Sequence, residues 1–267
     1  MDVAPLSRRK LADQVVDRVK LWLMSKDIKP GDRLPQEKEL IDIFGVSRGT
    51  MREALKALEV QGLIRITAGR SGGAVVAEVG YETAAALLGN YFYFQHLDAA
   101  EIYDLRQMIE PEMAASVVGR LTAADLRQLE YLLGACTDVP DTPEARRRQR
   151  LDELEFHNVL AERAPNQLYS FICRFINRVL SEQVEFKRMY RERQLRIDQE
   201  NLAAHNELLE AYRAGDRDRV HKAMTRHMLE CACHVAELGA VVETRFFSDS
   251  PSHAPNGRAS PAFQGQE

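Results

Sequence analysis

Apolar positions recur at helical spacing along most of this chain. Leu11, Val15, Val19 and Leu23 open the series and predict an amphipathic helix over residues 7–26. Lys29 to Pro35 then reads as a loop. Leu40, Ile41 and Phe44 form a second stripe, which Gly45 ends. Met51, Ala54, Leu55 and Leu58 form a third, at the i, i+3, i+4, i+7 spacing of a helix with one face on a core. Ser47 stands where the N-cap of that third helix belongs, its hydroxyl able to accept an orphan backbone N–H. The period changes next. Leu63 to Ile66 and Ala74 to Ala77 are short, β-branched-rich runs separated by a glycine-rich segment, which predicts a hairpin.

Only helical patterns follow. Residues 80–97, with the aromatic run Tyr91-Phe-Tyr-Phe94, read as a short helix or linker. Asp98 with Glu101, and Thr122 with Asp125, have the spacing of capping boxes, opening helices to about Gly119 and Thr137. Pro111 is expected to kink the first of them. Further helices are expected at about 143–163, 167–192, 194–214 and 217–242. The predicted fold class is therefore mostly α: an N-terminal winged helix-turn-helix with a small hairpin wing, and a C-terminal all-α bundle. The expected domains are 1–79, a connection at 80–97, a helical domain at 98–244 and a disordered tail at 245–267, rich in Ser, Pro, Gly and Ala.

The polar face of the third helix carries chemistry. Arg48, Arg52 and Lys56 lie one turn apart, opposite the apolar stripe. A cationic second helix in a helix-turn-helix is the usual way into a major groove. Arg70, at the tip of the predicted wing, is placed to enter a minor groove or meet a phosphate. The bland alternative is a helical hairpin followed by an ordinary surface hairpin. Net charge at first argues against a nucleic-acid partner, being −4 overall. The balance is uneven, however. Residues 1–75 hold 14 Lys and Arg against 10 Asp and Glu, and the remainder 22 against 30. A basic head on an acidic body confines DNA contact to one domain.

Composition sets outer limits. At 45% hydrophobic and 28% charged, the 267 residues suit a globular protein of about two domains. No apolar run reaches membrane-spanning length, and the first residues lack the apolar core of a signal peptide, so a cytoplasmic protein is expected. Cys136, Cys173, Cys231 and Cys233 are irregularly spaced and are expected to be free thiols.

Residues 8–77 resemble the winged-helix domain of the GntR family of bacterial transcription regulators. The resemblance rests on Leu34-Pro-Gln-Glu-Lys-Glu-Leu40, on Gly45-Val-Ser-Arg-Gly-Thr-Met-Arg-Glu-Ala-Leu55 and on Gly62-Leu-Ile64. It implies that Lys38, Ser47, Arg48, Thr50 and Arg52 contact operator DNA, and that Gly69 sits where the wing tip enters the minor groove. The family's best-known member has a histidine before that glycine; here it is Ala68. Residues 98–240 resemble, more loosely, the helical ligand-binding domain of the FadR-like branch. The matching elements are Asp104-Leu-Arg-Gln-Met-Ile-Glu110, Phe156-His157, Ala204-His205 and Ala223-Met-x-x-His227.

That second resemblance gives three histidines a joint meaning. Each of His157, His205 and His227 lies mid-helix in a different predicted helix, and a lone helical histidine is more often a satisfied core or surface residue. Many FadR-like members hold a divalent metal with three histidines and a carboxylate one turn before the first. Here that position is Glu153, on the same face as His157. The family usually has Asp there, so Glu153 binds directly through another rotamer or by way of water. Zinc is the expected metal, with nickel or manganese compatible with an imidazole-rich, thiolate-free set. Open coordination positions would admit a small carboxylate effector, and Arg106 could hold it with a bidentate fork. The alternative for Arg106 is an ion pair with Glu110, four residues on. A separate Cys/His site at Cys231 and His234 is weaker, because no matching second pair of ligands is evident.

The expected function is a ligand-responsive transcription regulator, a repressor acting as a homodimer on operator DNA and released by a small organic acid. Two rivals remain at this stage. A three-histidine metal centre could activate water for hydrolysis, although no general base stands beside the ligands in sequence. An effector-blind DNA-binding protein is the other.

Overall fold

The computed structural model describes residues 10–67, 72–95, 97–136, 142–186 and 195–237, and all structural statements concern these. The wing tip at 68–71, the Pro-bearing loop at 137–141 and the expected tail lie outside them. The chain divides into two compact units, Met1–Leu87 and Leu88–Glu267.

The first unit contains α1 (Leu11–Ser25), α2 (Glu37–Phe44), α3 (Arg48–Val60), β1 (Ile64–Thr67) and β2 (Gly73–Val76). α4 (Tyr81–Tyr93) follows, and the division between the units falls within it. The core takes Val15, Val16 and Val19 from α1, Leu40 from α2, Met51, Ala54, Leu55 and Leu58 from α3, and Ile64, Ala74 and Val76 from the hairpin. Leu11, expected in that core, is 55% exposed; the buried stripe begins one residue later, at Ala12. Trp22 closes the stripe by meeting the Phe44 ring edge-on at 6.0 Å.

The helix-turn-helix is set by local chemistry. Gly45 takes φ +63°, a left-handed conformation that costs glycine least, and its N–H bonds Ile41 O to end α2. Ser47 Oγ then accepts from Thr50 N at 3.2 Å and starts α3. Gly62 is more constrained: φ is +73°, and an added Cβ would lie 3.2 Å from Thr83 Cγ2. β1 and β2 pair antiparallel with Ile64 opposite Val76 and Thr67 opposite Gly73. The segment before α2, expected as a loop, is in fact tied to the hairpin. Arg33 bridges to Val75, Leu34 N donates to Ala74 O and Gly31 N donates to Val76 O, both at 2.9 Å. Two prolines and a glycine concealed that pairing in the sequence.

The second unit is helical among its described residues. Besides the end of α4 it holds α5 (Ala99–Ser116), α6 (Ala123–Ala135), α7 (Pro143–Glu162), α8 (Gln167–Phe186), α9 (Leu195–Ala214) and α10 (Arg217–Glu237). α5 packs on α10, α7 on α8, and α9 on α10. Both capping boxes form, at Asp98 with Glu101 and at Thr122 with Asp125. α5 continues through Pro111 to Ser116. Asp125 serves twice: it caps α6 and takes a fork from Arg163 at 2.9 and 2.7 Å. Those guanidinium bonds, with help from Thr122, pull its carboxyl down to about 2 against the opposing effect of burial. The core beneath is built from Met113, Leu129, Phe156, Leu160, Leu208, Met224 and Met228, all fully buried. Tyr212 crosses it to donate to Ala114 O at 2.9 Å.

Candidate functional site

Two places in the chain concentrate chemistry, one in each unit. In the first unit, α3 places Met51, Ala54, Leu55 and Leu58 inward, which leaves Arg48, Arg52 and Lys56 exposed on the far side. Lys38 is exposed on the first turn of α2, and Thr50 is half-buried with its hydroxyl 2.9 Å from Ser47 Oγ. Glu37 stands against both arginines, with its carboxylate 3.5 Å from Arg48 Nε and 3.8 Å from Arg52 Nε. Sequence reading passed over Glu37, because it lies on a different helix from the arginines that it meets. Gly69 and Arg70 lie outside the described residues.

In the second unit, His157 from α7, His205 from α9 and His227 from α10 converge. One ring nitrogen from each lies within 4.8 Å of the others, and all three side chains are buried. His157 Nε2 and His205 Nε2 face each other at 3.2 Å. The His157 and His227 rings stack at 5.4 Å, and Phe156 stacks on His205 at 4.4 Å. Burial first, then the neighbouring imidazoles, hold His205 and His227 well below the usual histidine range, which favours their neutral forms. Two facing Nε2 atoms cannot both carry a proton. At least one of the two therefore presents a lone pair, and three imidazole nitrogens this close suit a borderline cation.

A cavity opens beside the histidines, with an empty volume of ≈ 620 Å³ including its mouth. Arg106, Arg150, Glu153, Asn201, Cys231 and His234 also line it. Glu153 reaches the cavity, but among the described residues no carboxylate oxygen belongs to the tight histidine group. Its Oε2 accepts from Arg150 at 2.7 Å and from Asn201 at 3.0 Å, and its Oε1 accepts from Gln149 at 3.4 Å. Arg150 in turn pairs with Asp198. Arg106 is paired with Glu110, Nε to Oε1 at 2.6 Å, as the ion-pair alternative required. Burial opposes that guanidinium's charge, but the Glu110 carboxylate more than offsets it and raises Arg106 further above its ordinary value. Glu110 is held well below the usual carboxylate range: burial would raise it, and Arg106 and His157 outweigh burial.

The other oxygen of Glu110 lies 2.6 Å from His157 Nδ1. The pair is within bonding distance but not aligned as a hydrogen bond, and neither atom has another polar partner. Sequence spacing found the Arg106–Glu110 pair and missed this second contact, which depends on how α5 crosses α7. At the edge of the cavity, Cys231 Sγ lies 3.7 Å from His227 Nδ1, and burial pushes its thiol up to about 12. His234 pairs with Glu200 at 2.7 Å. Among the described residues neither Cys231 nor His234 belongs to a group of three or more metal-ligating side chains.

A winged head with an exposed cationic helix, joined in sequence to a helical domain with a polar cavity, defines a DNA-binding transcription regulator that responds to small molecules. Comparison with known proteins agrees. Residues 11–74 match the gntR family of bacterial regulatory proteins, and residues 101–230 match the FCD domain. The chain belongs to the GntR family, in the FadR-like branch that carries an FCD domain. It is 25% identical to the uncharacterised HTH-type transcriptional regulator YcbG of Bacillus subtilis, over 85% of this chain and 91% of that one. It is 24% identical to the HTH-type transcriptional regulator LutR of the same organism, over 76% of this chain and 90% of that one. With the HTH-type transcriptional repressor NanR of Citrobacter rodentium the figures are 26%, 84% and 85%. The solved structure of Streptococcus agalactiae GntR has the same fold, with a TM-score of 0.56 at 24% identity, covering 84% of this chain and 99% of that one. Both families and these relatives are regulators rather than enzymes. No helix among the described residues is long and apolar enough to cross a membrane.

Proposed function

We propose that this regulator is a cytoplasmic repressor whose helical domain holds a divalent metal, with a small organic acid as the releasing effector. The observation that carries the reading is the convergence of His157, His205 and His227 on a cavity that Arg106 also lines. The residues fit a metal, because three buried imidazoles each bring one ring nitrogen within 4.8 Å of the others. Zinc suits the set best, with nickel and manganese as alternatives. Glu153 is the carboxylate proposed to complete the set, directly or through water. Bound there, the metal supplies a Lewis-acid contact for an effector oxygen. Arg106 supplies a fixed positive charge on the same cavity, and Asn201 a donor.

On the head, Lys38, Ser47, Arg48, Thr50 and Arg52 are the proposed operator contacts, with Gly69 and Arg70 of the wing reaching the neighbouring groove. Two copies are proposed to bind a palindromic operator as a homodimer. Light scattering of the intact chain without DNA is expected to give about twice the 30.3 kDa subunit mass. A monomer at micromolar concentration would count against the dimer.

Operator affinity across a panel of organic acids, with and without added zinc, tests the regulatory reading. At least one acid is expected to weaken operator binding, and to do so only in the zinc-loaded protein. An effector acts only through a difference in affinity between the two states of the protein. Equal operator affinity under all conditions would leave an effector-blind DNA-binding protein.

A further inference from the structure

We propose that Glu110 is the outer carboxylate of the histidine centre, a positioning residue that fixes the tautomer of His157. The inference rests on the metal reading given above and assigns Glu110 a contact with His157 that spacing within one helix does not give. Glu110 comes from α5, whereas the three histidines come from α7, α9 and α10.

Glu110 is completely buried, and its two oxygens have different partners. Oε1 meets Arg106 Nε and Oε2 meets His157 Nδ1, each at 2.6 Å. A carboxylate paired with a guanidinium only accepts, so this contact favours a proton on the nitrogen beside it. In the neutral ring with Nδ1 protonated, the lone pair sits on Nε2. That is the nitrogen facing His205 Nε2 at 3.2 Å, and hence the one turned to the candidate centre. Neither Glu110 Oε2 nor His157 Nδ1 has another polar partner to compete for it. Arg106 anchors the other oxygen, so the acceptor does not swing away. Histidines that hold metals commonly donate their second N–H to such a carboxylate, which fixes the ring and raises its basicity. Glu153 does not fill this role, because Arg150, Asn201 and Gln149 take its oxygens.

Glutamine at 110 removes the charge and leaves one acceptor where two are needed. Either Arg106 or His157 then faces an amide N–H. The test is made on the full-length chain. First, long-range proton–nitrogen NMR of metal-free, histidine-labelled protein above neutral pH reads the tautomer of His157, assigned by its loss in His157→Gln. The Nδ1–H form is expected in the wild type, and a mixed or Nε2–H form in Glu110→Gln. Second, zinc is titrated against a chromophoric chelator. Glu110→Gln is expected to weaken uptake by roughly 10–100-fold. A wild-type His157 in the Nε2–H form overturns the proposal, even if the variant fails to fold. So does Glu110→Gln with unchanged tautomer and unchanged zinc affinity. A wild type that shows the Nδ1–H form but takes up no zinc overturns the metal reading instead, and is recognisable as such.

Discussion

Alanine at His157, His205 or His227 is expected to abolish the stabilisation that zinc gives the wild type. A ligand that binds only the folded state adds RT ln(1 + [L]/Kd), about 2.7 kcal/mol at a hundredfold excess over Kd. For a helical unit of this size that corresponds to roughly 5–10 °C in melting temperature. The comparison must be made as the shift on adding zinc, not as the melting temperature alone. Burying neutral imidazoles has its own cost, and removing one relieves part of it. Elemental analysis with thermal melts, with and without zinc, decides the matter. Equal shifts in wild type and all three variants would return the histidines to ordinary packing, of the kind that Phe156 already provides for His205. Failure of all of them, wild type included, to bind zinc, nickel or manganese would remove the metal from the function altogether.

Arg48→Ala and Arg52→Ala are expected to remove specific operator binding while leaving the fold intact. Both side chains are exposed, and neither contributes to the core formed by Met51, Ala54, Leu55 and Leu58. A bidentate guanine contact is worth roughly 1–3 kcal/mol of discrimination, so each variant loses about 5- to 150-fold in preference for its operator. Gel shifts on the protein's own promoter region, against a scrambled duplex, measure it. Unchanged preference in both variants would sink the assignment of α3 as the reading helix.

Much of this architecture was legible in the sequence, for reasons that are local. Ser47, Asp98 and Thr122 each bond a backbone N–H within three residues, so their roles follow from spacing alone. The stripe on α3 is legible because one helix face meets one core. The relations that were not legible run between elements. Arg33 pairs with Val75 across more than forty residues, through a segment whose prolines and glycine read as a loop. Leu11 has the right period but lies beyond the reach of the core. The i, i+4 rule put Glu153 and His157 on one face and was right about the face. It had nothing to say about Asn201, forty-eight residues away, which takes one of the Glu153 oxygens. The contact of Glu110 with His157 is of the same kind, since no spacing within a helix encodes the angle at which another helix crosses it.

Glu37 has a further consequence for how DNA is met. One carboxylate, partly exposed, stands within 4 Å of two guanidinium groups. Each such surface contact is worth only about 0–1 kcal/mol. It nevertheless acts as a built-in counterion. When a phosphate or a guanine edge takes Arg48 or Arg52, what leaves is a tethered carboxylate rather than a free ion from solution. A tethered group gains little entropy on release, so, as the proposed operator contacts, these two arginines would contribute less to the salt dependence of binding than their charge suggests. The shared acceptor also couples them. Removing one arginine leaves Glu37 wholly to the other, so the cost of the double substitution need not equal the sum of the two single ones.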